Sequence, residues 1–117
     1  MWYILDENNN PIKADPLTAS NFKYDNHGKT KRAIVRQTSI RNYWISTVFL
    51  GLDHGYNLTG RKDYQPVLFE TMIQKDEVFM DYQERYYTWK EAQQGHRETV
   101  RVVIKEIRNI INKKEKS

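Results

Sequence analysis

From Ala92 to Ile111 the apolar residues recur every three or four positions: Ala92, Val100, Val103, Ile104, Ile107, Ile110 and Ile111, with His96 in the same series. That spacing places them on one face of a helix. Thr88-Trp89-Lys90-Glu91 ahead of the run matches a capping box, in which Thr88 and Glu91 satisfy each other's free backbone donors. Valine and isoleucine are mediocre helix formers, yet the period is 3.6 and not 2, so the segment is a helix. Lys113, Lys114 and Lys116 suit the negative end of its dipole. Gly95 weakens a helix by up to about 1 kcal/mol and is expected to mark a kink. An amphipathic helix of this length needs a surface to lie on, and the preceding residues must supply it.

Those residues read mainly as strands. Trp2 to Asp6 is extended, Glu7 to Pro11 is a turn, and Ile12-Lys13-Ala14 returns. Asp15-Pro16 starts a short helix holding Leu17 and Phe22 and ending before Asn26. Lys31 to Ile40 is extended, with Ile34, Arg36, Thr38 and Ile40 expected on one face and Ala33, Val35 and Gln37 on the other. Arg41-Asn42 is a tight turn. Tyr43 to Leu50 is apolar on both faces, which predicts a central strand covered on two sides. Gly51 to Gln65 is a loop, Val67 to Ile73 a second strand and Val78 to Tyr87 a third, together forming an antiparallel meander. The expected fold is α+β in a single domain over 1–117: an N-terminal antiparallel sheet with a short helix (1–87), then a long C-terminal amphipathic helical segment (88–114).

Composition narrows the function classes. There is no cysteine, so disulfides and thiolate metal sites are excluded and a reducing compartment fits. No apolar run approaches the roughly 18 residues of a spanning helix, and Met1 to Asp6 does not read as a secretory leader. The 19 Lys+Arg against 15 Asp+Glu give a net charge of +4, which excludes an acidic nucleic-acid mimic. The excess is modest. It favours a small phosphorylated ligand at least as well as a polyanion, and a nucleic-acid partner is disfavoured.

Catalytic patterns are sparse. Asp53-His54 follows the central strand, with Glu70, Asp81 and Glu84 on later strands, a set that suits metal or acid–base chemistry. Asp-His-Gly is also ordinary turn chemistry, and His27, His54 and His96 show no metal-ligand spacing. The five glycines are scattered, so no phosphate loop exists. Glu70 lies among apolar strand residues and must face solvent, line a pocket or pair with a cation, for which Arg36, Arg85 and Arg97 are available.

The sharpest feature is on the last helix. Arg97, Arg101 and Arg108 fall at i, i+4 and i+11, a ridge expected along one edge of the apolar stripe. Guanidinium groups there can grip phosphates bidentately, with Phe69, Tyr82, Tyr86, Tyr87 or Trp89 stacking on a base. The plainer alternative is a solvated boundary in which arginine stems cover the core edge. The apolar stripe of so small a chain also favours a homodimer or higher homo-oligomer through the C-terminal helix.

Three strings, Ser46-Thr47-Val48-Phe49-Leu50-Gly51-Leu52-Asp53-His54, Pro66-Val67-Leu68-Phe69-Glu70-Thr71-Met72-Ile73 and Glu84-Arg85-Tyr86-Tyr87-Thr88-Trp89-Lys90-Glu91-Ala92 with Gly95-His96, resemble a family of small bacteriophage proteins. The layout is similar to the first type of phage Thoeris anti-defence protein. That resemblance implies an N-terminal sheet, C-terminal helices interlocked in dimers, and no catalysis. It implies sequestration of a cyclic ADP-ribose isomer, a cyclic nucleotide immune signal, in the cytoplasm of the infected bacterial host. No cofactor, metal or membrane is implied. Arg97 and Arg101 match the pyrophosphate-binding arginines and Phe69 the adenine-stacking ring, with Tyr82 and Arg85 as further ligand contacts. A departure is that one long helix stands where the pattern has two. Two other readings remain open: a protein inhibitor of a host defence complex, and a small metal-dependent phosphodiesterase using His54 and the strand carboxylates.

Overall fold

A computed structural model describes residues 1–23, 32–53 and 63–115. Strands β1 (Trp2–Leu5) and β2 (Pro11–Ala14) form a hairpin. The Asp6 carboxylate closes its turn by accepting from the amides of Asn8 (2.8 Å) and Asn10 (2.9 Å). Helix α1 (Pro16–Lys23) starts where the sequence places it, because Asp15 accepts from the Thr18 amide at 2.8 Å and Pro16 fills the first helical position. Strands β3 (Ile34–Ile40), β4 (Tyr43–Phe49), β5 (Phe69–Lys75) and β6 (Val78–Tyr86) then build an antiparallel sheet in sequential order, and helix α2 (Trp89–Glu115) ends the described chain. The arrangement is α+β, with four strands in the meander.

Helix α2 packs against all four strands. It rests on the face carrying Tyr43, Ile45, Thr47 and Phe49 of β4 and, opposite them in register, Ile73, Thr71 and Phe69 of β5. The contact is organised in three layers. One apolar cluster joins Tyr3, Leu5, Ala33, Phe49, Leu68, Phe69 and Ala92. A second joins Tyr43, Ile45, Ile73 and Val103, with Val100 and Ile107 packed against it. Between them lies a buried polar layer centred on His96.

Two expectations are corrected here, and Gly95 acquires a physical reason. The β3–β4 register shifts between Ile34 and Arg36, so Ile34 opposes Val48 and joins the face of Gln37, not that of Arg36. The central strand β4 is buried on the helix side, but Trp44 and Val48 on its other face are only half-buried. Gly95 does not interrupt the helix, and α2 runs unbroken through it. The glycine is there for close approach: a Cβ at this position would overlap the Tyr86 ring, which lies against the helix backbone.

At ~1.5 Å per residue the 27 residues of α2 span roughly 40 Å, and the last of them to be deeply buried is Val103. The end of the helix therefore runs on beyond the core with Ile107, Ile110 and Ile111 only half-buried. The radius of gyration is 16.8 Å and the extents are 56 × 38 × 24 Å, against roughly 13 Å for a rounded chain of this length.

Candidate functional site

The orientation of α2 decides what its arginines can do. His96 reaches Thr38 of β3, whereas Thr99 reaches Tyr82 of β6, and this fixes which flank of the helix overlies which edge of the sheet. At about 100° per residue, Arg97, Arg101, Lys105 and Arg108 then lie roughly opposite the line of Ala92, His96, Thr99 and Val103. All four are exposed. The ridge thus faces away from the sheet instead of following its edge, and no ion pair to another described residue restrains it. Lys90 begins the same row, also exposed.

The other proposed ligand contacts lie elsewhere. Phe69 is 0% exposed, its ring centroid 5.4 Å from that of Phe49 and 6.3 Å from that of Trp89, so neither face is open for a base. Tyr82 is half-buried under the helix, its hydroxyl 3.0 Å from Thr99 Oγ1. Arg85 is on the far face of the sheet, where its Nε donates to Glu70 Oε1 at 3.3 Å. That contact also answers what Glu70 does: of the available arginines, its partner is Arg85. Arg97 and Arg101 stand together, and the chain does not bring Phe69, Tyr82 or Arg85 to them.

Sequence reasoning missed the polar layer beneath the helix. His96 is 1% exposed, with Nδ1 2.7 Å from Thr47 Oγ1 and Nε2 2.8 Å from Thr38 Oγ1. Thr47 continues to Thr71, which accepts from the Tyr86 hydroxyl at 3.1 Å. An ordering in which Tyr86 donates to Thr71, Thr71 to Thr47, Thr47 to Nδ1 and Nε2–H to Thr38 satisfies each member with a neutral imidazole. Burial pushes the His96 pKa below the ordinary histidine value, and the nearby Arg36 guanidinium pushes it the same way. The available signal was Thr47 and Thr71 at inward-facing strand positions, with a histidine on the helix's apolar series.

The unfolded chain holds the His96 proton more tightly than the folded one, so stability is full above an unfolded pKa of about 6.5 and falls as pH drops through the folded value. The urea midpoint should decrease from pH 7.5 to 5.5, and a His96→Gln variant should show a smaller decrease over the same interval. An equal decrease in both would place the titration elsewhere.

Asp53 anchors a loop. Its Oδ1 accepts from the Val67 amide at 2.9 Å and its Oδ2 from the Tyr64 hydroxyl at 2.8 Å. The Tyr64 pKa is pushed up to about 12, by desolvation first and then by this carboxylate. His54 and His27 lie outside the described residues. Among the described residues no group of three or more His, Asp or Glu is placed to hold a metal ion, and no helix is long and apolar enough to cross a membrane. Comparisons of the chain with family models, with curated proteins and with solved structures give no match.

Proposed function

We propose that the chain is a non-enzymatic binding protein that holds a phosphate-bearing nucleotide on the outward face of α2, sequestering a cyclic ADP-ribose isomer in the cytoplasm of an infected host. The observation that carries this reading is the row of exposed cations around Arg97 and Arg101, with no ion pair to another described residue. Their i, i+4 spacing separates them by about 6 Å along the helix, within reach of two phosphates of one ligand. Charge-assisted hydrogen bonds contribute about 1.5–3 kcal/mol each. Loss of either arginine should therefore weaken binding about tenfold or more. The fold should survive, because both side chains point to solvent.

Titration calorimetry with cyclic ADP-ribose isomers on the wild type, Arg97→Ala and Arg101→Ala tests this. The nucleotide should also be recovered unchanged after heat denaturation. Unchanged affinity in folded Arg101→Ala makes the row a solvated helix face, and a hydrolysed product makes the protein an enzyme.

One observation favours a second reading. From Lys90 to Arg108 the row runs roughly 27 Å at ~1.5 Å per residue, longer than one nucleotide requires. That length suits an acidic protein surface, as an inhibitor of a defence complex would meet. Absence of nucleotide binding, with loss of protein inhibition in Arg101→Glu, selects it.

A further inference from the structure

The face of the sheet opposite α2 carries a cavity that the nucleotide reading does not use. In register across this face, Ser39 of β3 opposes Trp44 of β4, Trp44 opposes Gln74 of β5, and Gln74 opposes Phe79 of β6. Trp44 is half-buried and Phe79 is 56% exposed. With strands about 4.8 Å apart, the two aromatic residues stand roughly 10 Å from each other with the Gln74 amide between them. Next to Trp44 is a concavity of about 410 Å³, lined by Ser39, Arg41, Trp44, Gln74, Asp76 and Glu77 among others. That volume is in the range of small-molecule sites.

Its rim is fixed. The β3–β4 and β5–β6 turns are joined by a hydrogen bond from the Asp76 amide to the Asn42 carbonyl (2.9 Å) and another from Asn42 Nδ2 to Asp76 Oδ1 (3.0 Å). Arg41, Asp76 and Glu77 all have left-handed φ, at 54°, 53° and 68°. Positive φ is the geometry that two-residue hairpin turns require of their central residues. Ser39, Arg41, Gln74 and Glu77 make no side-chain hydrogen bond to another described residue, so their polar groups are available to a ligand.

Charge selects the ligand class. Among the described residues, the ionisable groups on this face and its rim are Arg41, Lys75 and Arg85 against Glu70, Asp76, Glu77 and Asp81, and Arg85 is already engaged by Glu70. The two signs nearly balance here, although the whole chain is basic. No cationic cluster is set for a phosphate. What fits is an uncharged ring with one flat C–H face for the indole and hydroxyls around its edge for the carboxylates, amide and serine. We propose that this cavity binds a pyranose ring of a neutral oligosaccharide, stacked on Trp44, with Phe79 as a platform for a further sugar of the same chain.

The test uses the full chain with neutral trisaccharides of glucose (α- and β-linked), mannose, galactose and N-acetylglucosamine, and with AMP and inorganic phosphate as charged controls. Binding is read by calorimetry and tryptophan fluorescence. At least one trisaccharide should bind with Kd below about 10 mM. Trp44→Ala should weaken it about tenfold or more, Trp44→Tyr only slightly, and Arg101→Ala not at all. The last variant separates this site from the nucleotide face. No heat or fluorescence change with any trisaccharide would overturn the proposal. So would binding that is equal in folded Trp44→Ala, or binding of AMP that Trp44→Ala abolishes.

Discussion

Gly95→Ala should destabilise the protein, although the same exchange inside an ordinary helix is stabilising. Alanine gains about 0.8–1 kcal/mol over glycine in helix propensity. Here the added methyl has nowhere to go, because the Tyr86 ring occupies the position of the missing Cβ. Tyr86 cannot swing aside cheaply, since its hydroxyl donates to the buried Thr71. Overpacking of this kind costs about 1–3 kcal/mol or more, enough to outweigh that gain, and one kcal/mol moves the Tm of a chain this size by roughly 4 °C. A net fall in Tm of up to about 10 °C is therefore expected by calorimetry. A Gly95→Ala, Tyr86→Leu double variant should be more stable than the sum of the two single losses implies, because the shorter side chain removes the clash. A rise in Tm for Gly95→Ala alone would mean that the ring does not lie against the helix.

The second large effect concerns assembly. Val100, Ile104, Ile107 and Ile111 follow a 3.5-residue repeat along the flank of α2 that overlies β3, and all four are only half-buried. A stripe of that period suits pairing with the same stripe of a second copy. Each such side chain contributes roughly 1.5–3 kcal/mol when fully buried. Light scattering should give about twice the 14.1 kDa chain mass for the wild type and the single-chain mass for Ile104→Glu and Ile111→Glu. Both positions lie away from the apolar clusters, so the circular dichroism of each variant should match the wild type. A monomeric wild type would end the proposed pairing.

How much of this was legible beforehand depended on whether the signal was local. Half of the capping box was: Glu91 N donates to Thr88 Oγ1 at 3.1 Å, whereas the Glu91 carboxylate accepts from the Thr88 hydroxyl at 3.0 Å and not from the Thr88 amide. The Asp15 cap, the Arg41-Asn42 turn and the meander were legible for the same reason. The bulge at Val35 was not, because alternation along β3 looks intact until the partner strand shows where it slips. The direction of the arginine row was missed because the apolar stripe of α2 is wide. Its Val and Ile residues drew attention to the flank, while the helix seats itself on Ala92, Gly95, His96, Thr99 and Val103, most of which do not read as core. Phe69 shows the limit of transfer by motif, since an aromatic side chain can belong to a distinctive string and still serve only packing.

The polar layer between the two apolar clusters governs the position of the helix along its own axis. Oily surfaces slide over one another with little penalty, and a helix resting on Phe49, Phe69, Ile45 and Ile73 alone would have several seatings of similar energy. Moving α2 by one turn, about 5.4 Å, would carry the imidazole out from between Thr38 and Thr47 and into one of the apolar clusters. It would take the imidazole away from both of those hydroxyls, and leave the histidine without either partner. His96 therefore acts as a key that admits one axial setting of the helix, and every residue carried beyond the sheet, the cationic row included, takes its place in space from that setting.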